Sequence, residues 1–213
     1  MQAIEEINHF ERMLADGGAL ILKFWFHLSK KAQRKRLKKL ERDPETSWKI
    51  TERDWDFFKM YDRFYRVSED TLRETSTAAA PWIVVEGSDP EYRAVTVGKT
   101  ILQALQKRIA QKAAGQKPLA ASMAAPLTEP ADRVRILDRM DLSVSLPKPK
   151  YAKQLEKNQA RLARLTRDPA FKDRTVVCVF EGMDAAGKGG AIRRITAALD
   201  ARLYNVIPID RKS

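Results

Sequence analysis

The sequence predicts an α/β fold built on a parallel sheet. Two observations carry that prediction. Residues 1–114 run helix, strand, helix, helix, strand, helix, the order in which helices connect parallel strands. Residues 175–180, Thr-Val-Val-Cys-Val-Phe, are short, apolar and β-branched, as expected for a buried parallel strand. A glycine-rich turn and a second helical pattern follow this run directly.

Each element has its own signal. Ile4, Ile7, Phe10 and Leu14 recur at helical spacing over 1–15, and Gly17-Gly18 ends that helix. Ala19 to Leu28 alternates, with Leu20, Leu22, Phe24, Phe26 and Leu28 on one strongly apolar face. Ile21, Lys23, Trp25 and His27 take the other face, and His27 reads as structural. Ser29 is placed to cap a helix over Lys30–Arg42, which Asp43-Pro44 breaks. Of that helix only Ala32, Leu37 and Leu40 can pack inward. Its eight cations leave two readings open, a solvated face or a rail for a polyphosphate-like anion.

Thr51 and Asp54 resemble a capping box opening a long helix to about Glu74. Trp55, Phe58, Tyr61, Phe64 and Tyr65 form an aromatic stripe on it, read as core rather than as a base-stacking surface. Pro81 to Glu86 is a second strand. Asp89 and Pro90 open a helix reaching about Ala114, with Val95, Ile101, Leu102, Leu105 and Ile109 inward. Gly115 to Pro130 has linker composition, and Val134 to Leu142 is a weak docking segment. Pro147 and Pro149 precede a polar helix over Tyr151–Thr166, ended by Asp168-Pro169. Ala191 to Leu199 reads as the last helix.

Composition narrows the function classes. The chain has 213 residues and 40 Lys and Arg against 28 Asp and Glu, a formal net charge of +12. That surplus favours a polyanionic partner: nucleic acid, a phosphorylated substrate, polyphosphate or an acidic membrane surface. A single cysteine, Cys178, excludes an internal disulfide, and two histidines leave little for a histidine metal site. No run approaches the ~18 apolar residues of a membrane span, and no secretory signal is visible. The default expectation is a cytoplasmic protein without a membrane partner. The absence of a helix-turn-helix, an RNA-binding aromatic motif or a zinc finger argues against nucleic acid.

The chemistry concentrates after the 175–180 strand. Gly182-Met183-Asp184-Ala185-Ala186-Gly187-Lys188 has the spacing Gly-x-x-x-x-Gly-Lys between a strand and a helix, the context a phosphate-binding loop requires. Small residues let several backbone N–H groups converge on one anion. The helix N-terminus adds partial positive charge, and Lys188 a full one. Arg193 and Arg194, one turn on, are further candidates for phosphate or are solvated. The usual loop has Ser or Thr after the lysine to ligate Mg²⁺. Here Gly189 and Gly190 follow, so Asp184 becomes the candidate metal ligand.

The string Phe180-Glu181-Gly182-Met183-Asp184-Ala185-Ala186-Gly187-Lys188-Gly189-Gly190-Ala191-Ile192-Arg193-Arg194 resembles the loop of polyphosphate kinase family 2. That family carries Gly-Lys-Gly-Gly and an aspartate at the place of Asp184. Leu203 to Pro208 looks like its next strand. Phe10–Leu14, Leu22–Phe26, Asp43-Pro44 with Trp48-Lys49, and Ala80–Glu86 resemble the C-terminal half of the same family. The nearest match is its tandem-domain type, which carries two such domains in one chain.

The resemblance implies a P-loop kinase-like parallel sheet flanked by helices, incomplete or permuted. It implies the C-terminal half of a first kinase-like domain over 1–114, a linker over 115–149, and the start of a second over 150–213. It further implies Mg²⁺-dependent transfer of phosphate from polyphosphate to AMP, giving ADP. Asp184 and Lys188 would be catalytic, with Gly182, Met183, Ala185, Ala186, Gly187, Gly189, Gly190, Arg193 and Arg194 around phosphate and Asp184 on the metal. The order of the halves makes the chain look like a fragment of a longer protein, without the family's second metal strand and lid arginines. Impaired turnover, an inactive polyphosphate-binding module and self-association are expectations that follow. An ATP-dependent nucleoside monophosphate kinase is disfavoured by Gly189. The strand at 175–180 then either pairs in parallel with that at 19–28 or lies apart from it in a separate unit, since the linker is long enough for both arrangements.

Overall fold

The computed structural model describes residues 2–113, 136–172 and 174–209. Its elements run α1 (Gln2–Asp16), β1 (Leu20–His27), α2 (Lys30–Arg42), α3 (Glu52–Lys59), α4 (Tyr61–Thr75), β2 (Trp82–Glu86), α5 (Pro90–Ala113), α6 (Lys148–Leu165), β3 (Val176–Gly182) and α7 (Lys188–Thr196). The three strands form one parallel sheet in the order β2-β1-β3. Of the two arrangements open to the 175–180 strand, parallel pairing with the 19–28 strand is the one formed: Leu20 pairs with Val176 and Phe26 with Gly182. Residues from both ends of the chain share one α/β sheet flanked by helices.

As the central strand, β1 must be covered on both faces, and it is. Leu22, Phe24 and Phe26 lie on the face covered by α5, with Phe24 stacked on Phe180. Lys23, Trp25 and His27, the more polar face, are buried as well. Lys23 ion-pairs with Glu11 of α1 at 2.7 Å and donates to the Thr75 carbonyl, also at 2.7 Å. Trp25 stacks on Phe64 of α4. His27 lies edge-on to Tyr65, and burial pushes its imidazole down to about 4. His27 is thus structural, as expected. On the α5 face, α7 packs beside α5 and against β3, and α6 packs on α5.

Several boundaries differ from the sequence reading. The long helix expected from Thr51 to Glu74 is two. The capping box of Thr51 and Asp54 opens α3, and the backbone turns at Met60. That turn sends Tyr61 and Tyr65 into the core, where the Tyr61 hydroxyl donates to the Leu28 carbonyl at 2.8 Å. Trp55 and Phe58 pack on each other in the preceding helix and stay only partly covered. Ser29 caps α2 as expected, its Oγ accepting from the Ala32 N–H. Gln33 and Leu37, rather than Ala32 and Leu40, are its buried residues.

Most of the expected linker, residues 115–135, lies outside the described residues. The described part of the docking segment sits on α4. The Glu69 carboxylate accepts from the Ile136 and Leu137 N–H groups, the Tyr65 hydroxyl donates to Asp138 at 2.6 Å, and Leu137 is buried.

Two expectations near the end of the chain are corrected. The last helix starts at Lys188, not Ala191, and stops at Thr196. Glycines at its N-terminus weaken its helical pattern in the sequence, although Gly187 supplies the left-handed cap that starts it. The run Leu203–Pro208 is not a strand. A 3-10 turn spans Ala201–Leu203, and Ile207 is 81% exposed. An apolar run becomes a strand only when a neighbour completes its hydrogen bonds, and no described strand pairs with this one.

Candidate phosphate site

The parallel sheet brings the C-terminal ends of β1, β2 and β3 to one edge, where ligands of α/β folds bind. The loop Gly182–Lys188 crosses that edge. Gly182 must be glycine. Its φ is +137°, and a Cβ there would lie 2.2 Å from the Phe26 carbonyl oxygen of β1. The Met183 N–H donates to that same oxygen at 2.9 Å, and the Met183 side chain is buried in the core. The loop is thereby anchored to the middle of the sheet. Ala185 adopts a positive φ of 59°, and Gly187 caps α7 with φ +89°.

This geometry divides the predicted phosphate ligands by the state of their amides. The N–H groups of Met183, Ala186 and Gly190 are spent, on the Phe26, Met183 and Gly187 carbonyls respectively. Those of Asp184, Ala185 and Gly187 donate to no described residue. Lys188 and Gly189 open α7, and their N–H groups lie in its first turn, which has no intrahelical acceptor. Five donors thus remain for an anion on one short stretch, at the positive end of a helix.

The Lys188 side chain folds back across the loop. Its Nζ donates to the Gly182 carbonyl at 2.8 Å and to the Met183 carbonyl at 3.2 Å. An ammonium has three donors, so one remains for a phosphate oxygen. Burial lowers its pKa, and the charges of Asp184 and Glu181 act against that shift. Asp184 is exposed, and its carboxylate makes no hydrogen bond or ion pair with a described residue. Among the described residues no group of three or more metal-ligating side chains occurs.

Two arginines follow the loop with different fates. Arg193 is exposed on α7. Arg194 is held, its Nε donating to the Tyr151 hydroxyl of α6 at 2.6 Å and its Nη1 to the Gly190 carbonyl at 2.8 Å. The sequence reading missed Arg93 and singled out Arg36 only as one cation of α2. Arg93, on α5, is buried, and its guanidinium packs against Gly187. Arg36 and Arg93 both donate to the Gly87 carbonyl oxygen, Arg36 at 3.3 Å. The available signal was topological: Glu86-Gly87-Ser88-Asp89 leaves β2 at the edge where the loop leaves β3.

A strand, a Gly-x-x-x-x-Gly-Lys loop with unpaired amides, and a helix starting at the lysine define a phosphate-binding-loop α/β protein. The family model described as Polyphosphate kinase 2 (PPK2) matches residues 1–113 and 145–213, and the chain belongs to that family. It is 52% identical over 208 residues to a polyphosphate:AMP phosphotransferase of Pseudomonas aeruginosa, covering 98% of this chain and 41% of the relative. It is 47% identical over the same length to a polyphosphate:AMP phosphotransferase of Pseudomonas syringae, again covering 98% and 41%. A solved structure of a Pseudomonas aeruginosa polyphosphate kinase 2 shares 45% identity, with a TM-score of 0.42, over 100% of this chain and 38% of that one. The chain therefore spans about two fifths of the length of these relatives.

No helix among the described residues is long and apolar enough to cross a membrane.

Proposed function

We infer that this chain takes part in phosphoryl transfer from inorganic polyphosphate to AMP, giving ADP. The observation that carries this reading is the loop itself. Asp184, Ala185, Gly187, Lys188 and Gly189 offer unpaired N–H groups beside the Lys188 ammonium. Such a constellation neutralises charge on a phosphate in flight, and phosphoryl transfer needs little more than positioning and charge neutralisation. The donor polyphosphate and the acceptor AMP come from the two relatives' activity. The Gly-Lys-Gly-Gly sequence and the Asp184 position support it.

Residues present fit a Mg²⁺ ion. Mg²⁺ is commonly held by one or two carboxylates together with substrate phosphates, and Asp184 is an unengaged carboxylate in the loop. Held there, the ion would supply positive charge against the developing charge of the transferred phosphate. The chain's own contribution is to present Asp184 to it, cradle the phosphate with loop amides, and fix Lys188 across the loop.

A second reading is a polyphosphate-binding module without turnover. It is favoured by α2, on which Lys31, Arg34, Lys35, Lys38, Lys39 and Arg42 are all exposed.

The test is ADP formation from AMP, polyphosphate and Mg²⁺ by the purified chain, with Lys188→Ala alongside. ADP formed by the parent and at least a hundredfold slower in the variant is the expected result. ADP formation untouched by Lys188→Ala would overturn the reading. Tight polyphosphate binding with no ADP in either protein would favour the second one.

A further inference from the structure

In the order β2-β1-β3, the last strand pairs with β1 alone. The Thr175 carbonyl accepts from the Leu20 N–H at 2.9 Å, and the Met183 N–H donates to the Phe26 carbonyl, also at 2.9 Å. The odd-numbered backbone groups of β3 therefore face β1, and those of Val176, Cys178 and Phe180 face outward. None of these three N–H groups meets an acceptor among the described residues. Val176 to Phe180 are only half-buried, whereas β1 is buried from Ile21 to His27.

Sheet edges that stay alone are blunted by brevity, a proline or a charge. At the opposite edge β2 shows this. It has five residues and follows Pro81, and its outward Trp82 N–H donates to the Ser76 hydroxyl at 3.2 Å. β3 has seven residues, and from Thr175 to Phe180 it contains no charge and no proline. Charges occur only towards its ends, Arg174 before it and Glu181 near its close. Neither forms a salt bridge among the described residues. Reversed against a copy of itself, such a strand brings cation towards acid at both ends. A parallel copy would set like charge against like.

We propose that the outer edge of β3 pairs antiparallel with the same edge of a second copy of this chain, Cys178 facing Cys178 across a two-fold axis. The inference is independent of the phosphate reading. Outward groups must oppose outward groups, so Val176 of one copy faces Phe180 of the other, and the pairs supply about six N–H···O=C bonds. Between them Val177 faces Val179, and Thr175 faces Glu181 with Arg174 next to it. The edge is thus complementary to itself, as a two-fold contact requires. Three strands from each copy join in one continuous sheet. Because the two β3 strands run oppositely, the loops that follow them leave from opposite ends of the joint.

Sedimentation equilibrium and amide hydrogen exchange on the full chain test it. The parent is expected to show a monomer–dimer equilibrium. Exchange of the Val176, Cys178 and Phe180 amides should slow at least tenfold as the dimer fills. Thr175→Glu sets two acids opposite each other at both ends, and Glu181→Lys sets a lysine beside Arg174. Each should weaken the dimer at least threefold, and Thr175→Glu/Glu181→Lys together should return it to within twofold of the parent. Thr175 and Glu181 are both exposed, so neither change disturbs packing within one copy. Should Glu181→Lys still fail to fold, Thr175→Lys, which faces Glu181 with a cation, is expected to tighten the dimer at least threefold. A chain monomeric at every concentration would overturn the proposal, as would a dimer indifferent to both single substitutions. Protection of the three amides that does not change with concentration would also overturn it, since another part of the same chain, such as the exposed run 203–209, would then hold this edge.

Discussion

The guanidinium of Arg93 occupies the space that a side chain on Gly187 would need. A Cβ at Gly187 would lie 2.2 Å from Arg93 Nη2 and 2.3 Å from Cζ. Since φ at Gly187 is also +89°, Gly187→Ala is strained twice. It should cost about 1–3 kcal/mol of stability, read by urea denaturation. Arg93→Ala in the same chain removes the clash but not the backbone strain. The double variant should therefore recover only part of the loss due to Gly187→Ala, once the cost of Arg93→Ala alone is subtracted.

The loop glycines should rank in a fixed order. A Cβ on Gly182 meets Phe26 backbone atoms, which cannot rotate away. Gly182→Ala should thus be the most damaging, at about 3 kcal/mol or more. At Gly189, in α7, nothing lies within 4 Å of the added Cβ. Gly189→Ala should raise stability by about 0.5–1 kcal/mol through helix propensity. A destabilised Gly189→Ala chain would contradict this ranking.

Removing Glu11 should be worse than removing its whole ion pair. Lys23 is 1% exposed. Burial raises the Glu11 pKa and lowers that of Lys23, and in each it outweighs the partner's pull. Glu11→Ala leaves the Lys23 ammonium with the Thr75 carbonyl and the Trp82 ring, and should cost about 3–5 kcal/mol. Replacing both residues by Met should return most of that, measured as midpoint shifts in guanidinium chloride.

His27 makes the fold sensitive to acid. Its imidazole has an ordinary pKa of 6.5 and is pushed down to about 4 by burial, with Asp138 pulling the other way. Above pH 6.5 both folded and unfolded chains carry it neutral, and no penalty arises. As pH falls from 6.5 to 4 the unfolded chain takes up the proton first, so stability drops, by about 3 kcal/mol once both states are protonated. Denaturation at pH 7 and pH 4 should show that loss in the parent and a smaller one in His27→Asn. Parallel pH profiles for the two proteins would exclude His27 as the cause.

Much of the fold was legible because its signals are local. The alternation of 19–28, the Ser29 cap and the Thr51–Asp54 box each depend on neighbours in sequence, and each appears where expected. The loop was legible for the same reason, since its glycine spacing is local chemistry. What escaped depends on partners distant in the chain. The turn at Met60 is set by which aromatic residues the core admits. The run 203–208 lacks a strand to pair with. Arg93 gains its place only because the parallel sheet puts the end of β2 next to the end of β3. A burial pattern can be read from periodicity, but a guanidinium aimed at a loop some ninety positions later leaves no periodic trace.

The placement of β1 between β2 and β3 also governs how the protein can be made. Leu20 pairs with Val176, so the central strand leaves the ribosome long before one of its two neighbours exists. During that interval β1 can close against β2 alone, with the side on which Phe180 stacks against Phe24 still bare. Contacts this distant in sequence slow folding and prolong exposure of an unpaired edge. In a nascent chain of this sequence, that edge of β1 therefore waits for its partner until the phosphate loop's own strand is synthesised.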